Sequence, residues 1–124
     1  RVGPGPFGAT FGAAMSSPCA VSCNPRPHRT TIRAGACPRL LKLNDGRLLL
    51  TYGRRFKPYG LYAALSADHG KTWGDTTWQL RPTPDGNQGY TSSLQLDDGR
   101  IFTTSYARDS RGITGITGTF WRLP

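Results

Sequence analysis

One short pattern occurs twice in this sequence and constrains its fold more than any other feature. The segment Leu41–Leu48 reads LKLNDGRL and Leu94–Ile101 reads LQLDDGRI, so five of eight aligned residues are identical at an offset of 53 residues. In each copy an Asp-Gly pair separates two apolar runs. This is a strong signal for a β-hairpin, because glycine supplies the positive φ that a tight turn needs. A repeat of this length built from hairpins is typical of propeller blades, which are small antiparallel sheets that bury their faces by stacking.

The remainder of the chain fits further strands around the two hairpins. We predict a third strand at 60–65, a fourth near 76–81, and a third strand of the second unit at 114–123. The 16 glycines and 10 prolines favour turns and short strands over long helices. The sequence therefore predicts an all-β fold, a β-propeller fragment of about two four-stranded antiparallel blades. One blade spans 36–81, and a partial blade without its fourth strand spans 89–124.

The first 35 residues differ from the rest in composition. They are rich in Gly, Pro, Ala, Ser and Arg and show no sustained period of 2 or 3.6. A segment with so few large apolar groups cannot offset its ordering entropy by burial, so we expect residues 1–35 to be mostly irregular. A short strand at Thr30–Arg33 is compatible with its β-prone residues. No apolar run is long enough to cross a bilayer, and we expect no membrane span.

The charge and the cysteines leave several functions open. A net charge of +9 and a pI near 10.2 permit binding to nucleic acid, anionic surfaces or acidic sugars. The arginines are scattered and no nucleic-acid motif is present, so we expect no specific nucleic-acid partner. Cys19, Cys23, His28 and Cys37 read C-x3-C-x4-H-x8-C. This spacing superficially offers four zinc ligands but matches no standard finger, and we predict no metal and no cofactor. The odd number of cysteines cannot form a closed disulfide set.

A second motif follows the predicted third strand. Residues 66–73 fit the pattern S-x-D-x-G-x-T-W, the Asp box, through Ser66, Asp68, Gly70, Thr72 and Trp73. The carboxylate of Asp68 is suited to accept backbone N–H groups within the turn. Gly70 suits a conformation closed to other residues, and Trp73 is expected to cover the turn.

With this motif the chain resembles the sialidase (neuraminidase) superfamily over residues 37–124. The resemblance rests on the Asp box, on the two Asp-Gly hairpins and on Gly89–Leu94, which precedes the last hairpin. It implies a six-bladed sialidase-like propeller in the parent protein, of which this chain is a carboxy-terminal fragment with one bacterial neuraminidase repeat. It also implies a structural Asp box distant from the active site, and it favours a secreted or periplasmic location.

The resemblance implies hydrolysis of terminal sialic acids, with Tyr90 as the catalytic nucleophile. Arg54 and Arg55 lie near the place of a substrate-binding arginine, although Lys57 stands closer to the expected position. In the family a Glu activates the tyrosine and an Asp serves as acid/base. This sequence contains no Glu, and Ala107 stands where sialidases commonly carry one after Tyr. We therefore expect the chain to be inactive alone and to need a glycan substrate and the remaining blades of its parent.

Two alternatives remain open from the residues alone. Tyr90 is also compatible with a packed tyrosine at a strand edge, and Arg54 and Arg55 with a solvated pair at a strand end. The corresponding alternative function is a non-catalytic Asp-box propeller that binds glycan or protein.

Overall fold

In a computed structural model, the residues described are 27–33, 35–74 and 77–124. They form an all-β structure in which no helix occurs. The strands in chain order are β1 (Gly35–Lys42), β2 (Leu48–Arg54), β3 (Gly60–Ser66), β4 (Trp78–Pro82), β5 (Gln88–Gln95), β6 (Ile101–Arg108) and β7 (Thr114–Trp121). Accordingly, the described residues contain no helix long and apolar enough to cross a membrane.

The strands form two antiparallel sheets. The first sheet has the order β1-β2-β3-β4, and the second sheet has the order β5-β6-β7. Sequence-neighbouring strands pair throughout each sheet, as expected for consecutive hairpins. The prediction of an all-β fold with two antiparallel sheets is confirmed at this level.

The amino-terminal predictions have a different outcome. Thr30–Arg33 is not a strand, because no described strand pairs with it and a β-prone run needs a partner to form a ladder. Residues 1–26 and Ala34 lie outside the described residues, and so does most of the segment predicted to be irregular. Cys19 and Cys23 fall there too. Among the residues described, no group of three potential metal ligands occurs.

The two hairpin turns are built in the same way. Asp45 Oδ1 accepts the backbone N–H of Arg47 at 3.0 Å, and Asp98 Oδ1 accepts that of Arg100 at 2.9 Å. Each arginine also donates its Nε to the second carboxylate oxygen of the same aspartate. The side-chain hydrogen bond from Arg47 holds the pKa of Asp45 below its usual value. The turn therefore stabilises itself locally and specifies the hairpin register in both sheets.

The sheets stack so that like ends meet. Gln95 at the end of β5 accepts the backbone N–H of Asn44 in the first turn. At the opposite end, Gln88 at the start of β5 donates to the carbonyl of Arg54 at the end of β2. We call the end that holds the starts of β1 and β5 the bulge end, because a β-bulge interrupts each of these strands there. We call the other end the turn end.

The contact between the sheets changes character along the strands. At the turn end Leu43, Leu49, Ala63 and Ile101 form an apolar core. Toward the middle it gives way to hydroxyl groups: Thr51 Oγ1 donates to Thr91 Oγ1 at 3.1 Å and also lies 3.1 Å from Ser93 Oγ. Thr51 is fully buried, so this ladder satisfies polar groups that water cannot reach.

Equivalent residues of the two sheets point in the same direction along the stacking of the sheets. Leu49 and Thr51 of β2 point toward the second sheet. Their equivalents 53 residues later, Phe102 and Thr104, point away from the first sheet, since successive side chains alternate and Thr103 faces inward through Ser93. The second sheet thus stacks on the first in an arrangement that a third equivalent sheet could continue.

Candidate functional site at the bulge end

A β-bulge interrupts the first strand of each sheet at equivalent positions. The β1–β2 register shifts between Ala36 and Arg39, and the β5–β6 register shifts between Gly89 and Ser92. Within the bulges Cys37 has φ 50° and Tyr90 has φ 47°. These residues are 53 apart, so the repeat extends to this strained feature. Left-handed conformations of side-chain-bearing residues typically cost about 1–2 kcal/mol and persist where surrounding structure enforces them.

Tyr90 is displayed on the surface by its bulge. Its side chain is 72% exposed. Its ring lies against Tyr106 of β6, with ring centroids 5.7 Å apart. Tyr106 is held opposite Gly89 by the β5–β6 pairing. Two phenols from adjacent strands are therefore placed side by side at the bulge end.

Arg55 joins this pair from the first sheet. Its Nη2 donates to the hydroxyl of Tyr106 at 3.4 Å and approaches Cys37 Sγ at 3.5 Å. One guanidinium thus touches the bulge residue of the first sheet and the tyrosine that stacks on the bulge residue of the second. We call Cys37, Arg55, Tyr90 and Tyr106 the junction cluster.

Arg54 lies elsewhere, although it is the adjacent residue. Its Nη2 donates to the carbonyl of Lys57 at 3.2 Å. Its guanidinium lies 5.7 Å from the ring centroid of Phe56 and 5.8 Å from that of Tyr62. Tyr62 belongs to the face of the first sheet that points away from the second. Of the two arginines predicted to bind substrate, the structure places only Arg55 beside the Tyr90–Tyr106 pair.

The buried side-chain amide of Gln88 lies between the two sheets next to the junction cluster. Gln88 is fully buried, and its Nε2 donates to the carbonyl of Arg54 at 2.8 Å. A Cβ on Gly53 would lie 2.5 Å from Gln88 Oε1, so only glycine leaves room for this amide. This hydrogen bond thus links the backbone just before Arg55 to the residue just before Gly89 and joins the two sheets beside the bulges.

The cluster carries a positive charge that forms no ion pair with a carboxylate of the described residues. Among the described residues, the ion pairs join Asp45 to Arg47, Asp85 to Arg108, Asp98 to Arg100 and Asp109 to Arg111. Within that part of the chain Arg55 has no carboxylate partner. A guanidinium beside two phenol groups offers charge-assisted and neutral hydrogen bonds to a carboxylate or a hydroxyl-rich ligand. It does not supply a base to deprotonate a phenol.

The Asp box is at the turn end, away from the junction cluster. Asp68 Oδ1 accepts the hydroxyl of Ser66 and the backbone N–H of Thr72, both at 2.8 Å, and Thr72 also donates its hydroxyl to the second oxygen. The Gly70 N–H donates to Ser66 Oγ at 2.8 Å. The hydrogen bonds that Asp68 itself accepts, those from Thr72 above all and then that from Ser66, lower the pKa of Asp68 to about 2.

The other Asp-box residues complete the turn. Gly70 has φ 85° and His69 has φ 60°. Trp73 is buried among Tyr52, Tyr62 and Ala64 on the outer face of the first sheet. The side-chain hydrogen bonds of Ser66 and Asp68 all lie within the turn, which is the arrangement of a structural turn. From outside the hairpin, His28 Nε2 donates to the backbone carbonyl of Lys71 at 3.0 Å.

Of the junction cluster, the sequence predicted Tyr90 and Arg55 as site residues but not Cys37 or Tyr106, and it did not predict the supporting Gln88. The signal for Cys37 was present, since it stands 53 residues before Tyr90. Tyr106 follows from the hairpin register once β5 and β6 are paired. No sequence signal distinguishes a buried glutamine such as Gln88 from an exposed one.

Comparison with known proteins found similarity to a solved structure but to no known family. No protein-family model matches the chain, and no curated protein sequence matches it. A crystal structure of a protein of unknown function from Dyadobacter fermentans DSM 18053 is similar, with a TM-score of 0.63 and 29% sequence identity. The similarity covers 73% of this chain and 25% of that chain. The matched region is therefore about a quarter of the neighbour's length.

Proposed function

We propose that this chain is part of a sialidase-like glycoside hydrolase and that its junction cluster contributes to a site for a carboxylated sugar. The observation that carries the proposal is the contact of Arg55 with Tyr106 beside the exposed Tyr90. A guanidinium that has no carboxylate partner among the described residues and lies next to two phenols suits a terminal sialic acid. The carboxylate of that sugar takes paired N–H donors, and its hydroxyls take phenolic hydrogen bonds.

The architecture that we propose is a β-propeller in which the two sheets are successive blades. It is supported by the 53-residue repeat and by the repeatable way in which one sheet sits on the other. In a propeller the first strands of the blades line the axis. The bulges of β1 and β5 are adjacent at one end of these strands, where residues from several blades would converge. The neighbour of unknown function is about four times longer than its matched region, which is compatible with further blades in that protein.

In the hydrolysis that we propose for the parent, Tyr90 Oη forms a bond to the anomeric carbon as the glycosidic bond breaks. The phenol proton passes to a base, and the leaving oxygen takes a proton from an acid. This sequence contains no Glu, and no carboxylate of the described residues is hydrogen-bonded to Tyr90. Removing the base from a nucleophile pair typically costs orders of magnitude in rate. The 124-residue protein is therefore expected to bind a sialoside without turning it over.

Adjacent arginines provide a matched test. We expect Arg55→Gln to weaken binding of a monovalent sialoside about 10-fold or more, because a charged hydrogen bond is lost. Arg54→Gln is the control, since it makes the same charge change on the opposite face. Titration calorimetry or NMR shift mapping measures both. Equal affinities for the two variants would refute the assignment of Arg55, and turnover of a fluorogenic sialoside by the isolated protein would refute the need for further blades.

The second candidate function is a non-catalytic Asp-box propeller that binds glycan or protein. It is favoured because no carboxylate of the described residues is hydrogen-bonded to Tyr90 and could act as its base. The two functions differ in a parent protein that supplies the remaining blades. There, Tyr90→Phe removes most hydrolysis if Tyr90 is the nucleophile. A parent that binds a neutral oligosaccharide as tightly as the sialoside and hydrolyses neither supports the second function.

A further inference from the structure

The far side of the second sheet is apolar, and no strand of the described residues packs on it. Phe102 and Phe120 stack there with ring centroids 4.4 Å apart, and Gly118 lets the Phe102 ring lie flat, since a Cβ would come within 2.7 Å of it. Ile116 is 80% exposed on the same face, and Leu94 and Phe120 are also exposed. Contiguous apolar surface of this kind marks an interaction site in a soluble protein.

The repeat identifies what fits this face. Phe102 is equivalent to Leu49, which is fully buried against the second sheet. The open face is thus the counterpart of the face by which the first sheet already holds a sheet. Within one molecule, the inner face of the first sheet packs on the inward face of the second sheet. By the repeat, the inward face of the second sheet is equivalent to the outer face of the first sheet. The open face of the second sheet is therefore suited to hold the outer face of a first sheet.

That outer face is only partly covered. Ile32 packs against the aromatic cluster that contains Tyr52. Beside it a cavity of about 370 Å³ remains, with Leu40 and Trp73 in its wall. Leu40 is 54% exposed, and the indole N–H of Trp73 is buried without a partner in the described residues. A complementary apolar surface is therefore present on the same molecule.

We propose that the 124-residue protein associates head to tail, with the open face of the second sheet of one copy on the outer face of the first sheet of the next. The contact continues the stacking that already joins the two sheets within a copy. Such a heterologous contact adds copies until the rotation closes a ring, so masses above that of a dimer are expected. The proposal rests on the stacking of the sheets and not on the sugar site, so loss of sialoside binding leaves it standing.

Sedimentation velocity over about 1–200 μM protein tests the association, a range suited to micromolar contacts. We expect the mean mass of the wild type to rise with concentration. Ile116→Lys is expected to stay monomeric, whereas Ile113→Lys is expected to behave like wild type. Ile113 is 57% exposed and lies in the β6–β7 turn, so it receives the same change outside the sheet face. A wild type that is monomeric throughout, or variants that associate equally, overturns the proposal.

Mixing two variants tests the head-to-tail geometry. Leu40→Lys blocks the outer face of the first sheet, and we expect it to be monomeric alone. Mixed with Ile116→Lys it is expected to form a dimer and nothing larger, because each variant keeps one intact face. If Leu40→Lys alone associates as wild type does, the contact does not use the first sheet and the proposal fails. Near-ultraviolet circular dichroism checks folding, and Leu40→Gln replaces any Leu40→Lys protein that does not fold.

Discussion

The two sheets share a turn, a bulge and a register but differ in what covers them. In the first sheet the outer face packs Tyr52, Tyr62 and Trp73, and the inner face packs the second sheet. The second sheet packs the first sheet on its inner face, whereas its other face carries no such cluster among the described residues and leaves Ile116 exposed. Their register pairs coincide at an offset of 53 on both sides of the bulge. The turn and the bulge therefore encode the hairpin geometry, which is the same in both sheets although Leu49, Leu50 and Tyr52 are replaced by Phe102, Thr103 and Ser105.

Equivalent positions in the two sheets consequently have different environments. Thr51 is fully buried in the hydroxyl ladder, whereas its equivalent Thr104 lies half-buried on the open face. Substituting both members of such a pair measures two contributions to stability separately. One comes from the residue's place in the repeat, and the other from the residues that pack on it.

The largest difference is expected from Thr51→Val against Thr104→Val. Valine keeps the shape of threonine but removes the hydroxyl that bonds Thr91 and Ser93. We expect the free energy of unfolding to fall by about 1–3 kcal/mol for Thr51→Val, because buried polar partners lose a hydrogen bond. For Thr104→Val the change is expected to stay within about 0.5 kcal/mol. Urea denaturation measures both, and equal losses would contradict the stacking assignment.

The two hairpins and their offset of 53 residues could be predicted from the sequence, because an Asp-Gly turn marks each hairpin. The hydroxyl ladder could not be predicted. Thr91, Ser92 and Ser93 look like a polar surface run, and only the stacking of a second sheet on Thr51 turns two of them inward.

The site shows the same division. Alternation along β2 and past its end separates Arg54 from Arg55, and this follows from strand geometry once the strand's end is known. The positive φ of Cys37 and Tyr90 could not be predicted from residue type, since neither cysteine nor tyrosine favours this conformation. Such a conformation is imposed by the register on either side of the bulge.

A second contrast concerns the Asp box, which the second sheet lacks in its described residues. Because the pKa of Asp68 is lowered to about 2, the charged carboxylate stabilises the folded state at neutral pH. This contribution is present above the unfolded pKa near 4 and is lost as the pH falls toward 2. We expect Asp68→Asn to lower the thermal midpoint by several degrees at pH 7, and the difference from wild type to shrink below pH 3.

Asp97→Asn serves as the control for that change, since Asp97 is exposed in the β5–β6 turn. Its thermal midpoint is expected to follow the wild type across the same pH range. Midpoints of Asp68→Asn that match wild type at neutral pH would refute the role given to the carboxylate in the turn.

The smallest effects are expected at the bulges, where the two sheets are most alike. Glycine adopts positive φ without strain, so Cys37→Gly relieves a cost of about 1 kcal/mol or slightly more. Against this gain stand the greater entropy of glycine in the unfolded chain and the loss of the thiol contact with Arg55. We expect the net change for Cys37→Gly to be a stabilisation of about 0.5 kcal/mol or less, measured by urea denaturation.

Tyr90→Gly relieves the same strain but also removes a ring that stacks on Tyr106, and such contacts contribute about 0.5–1.5 kcal/mol. The two terms nearly cancel, so its stability is expected to lie within about 0.5 kcal/mol of wild type and below that of Cys37→Gly. A loss above about 1 kcal/mol at both positions would mean that the bulges are not strained. If the order holds, the second bulge keeps its tyrosine without a stability benefit, as expected of a residue retained for a ligand.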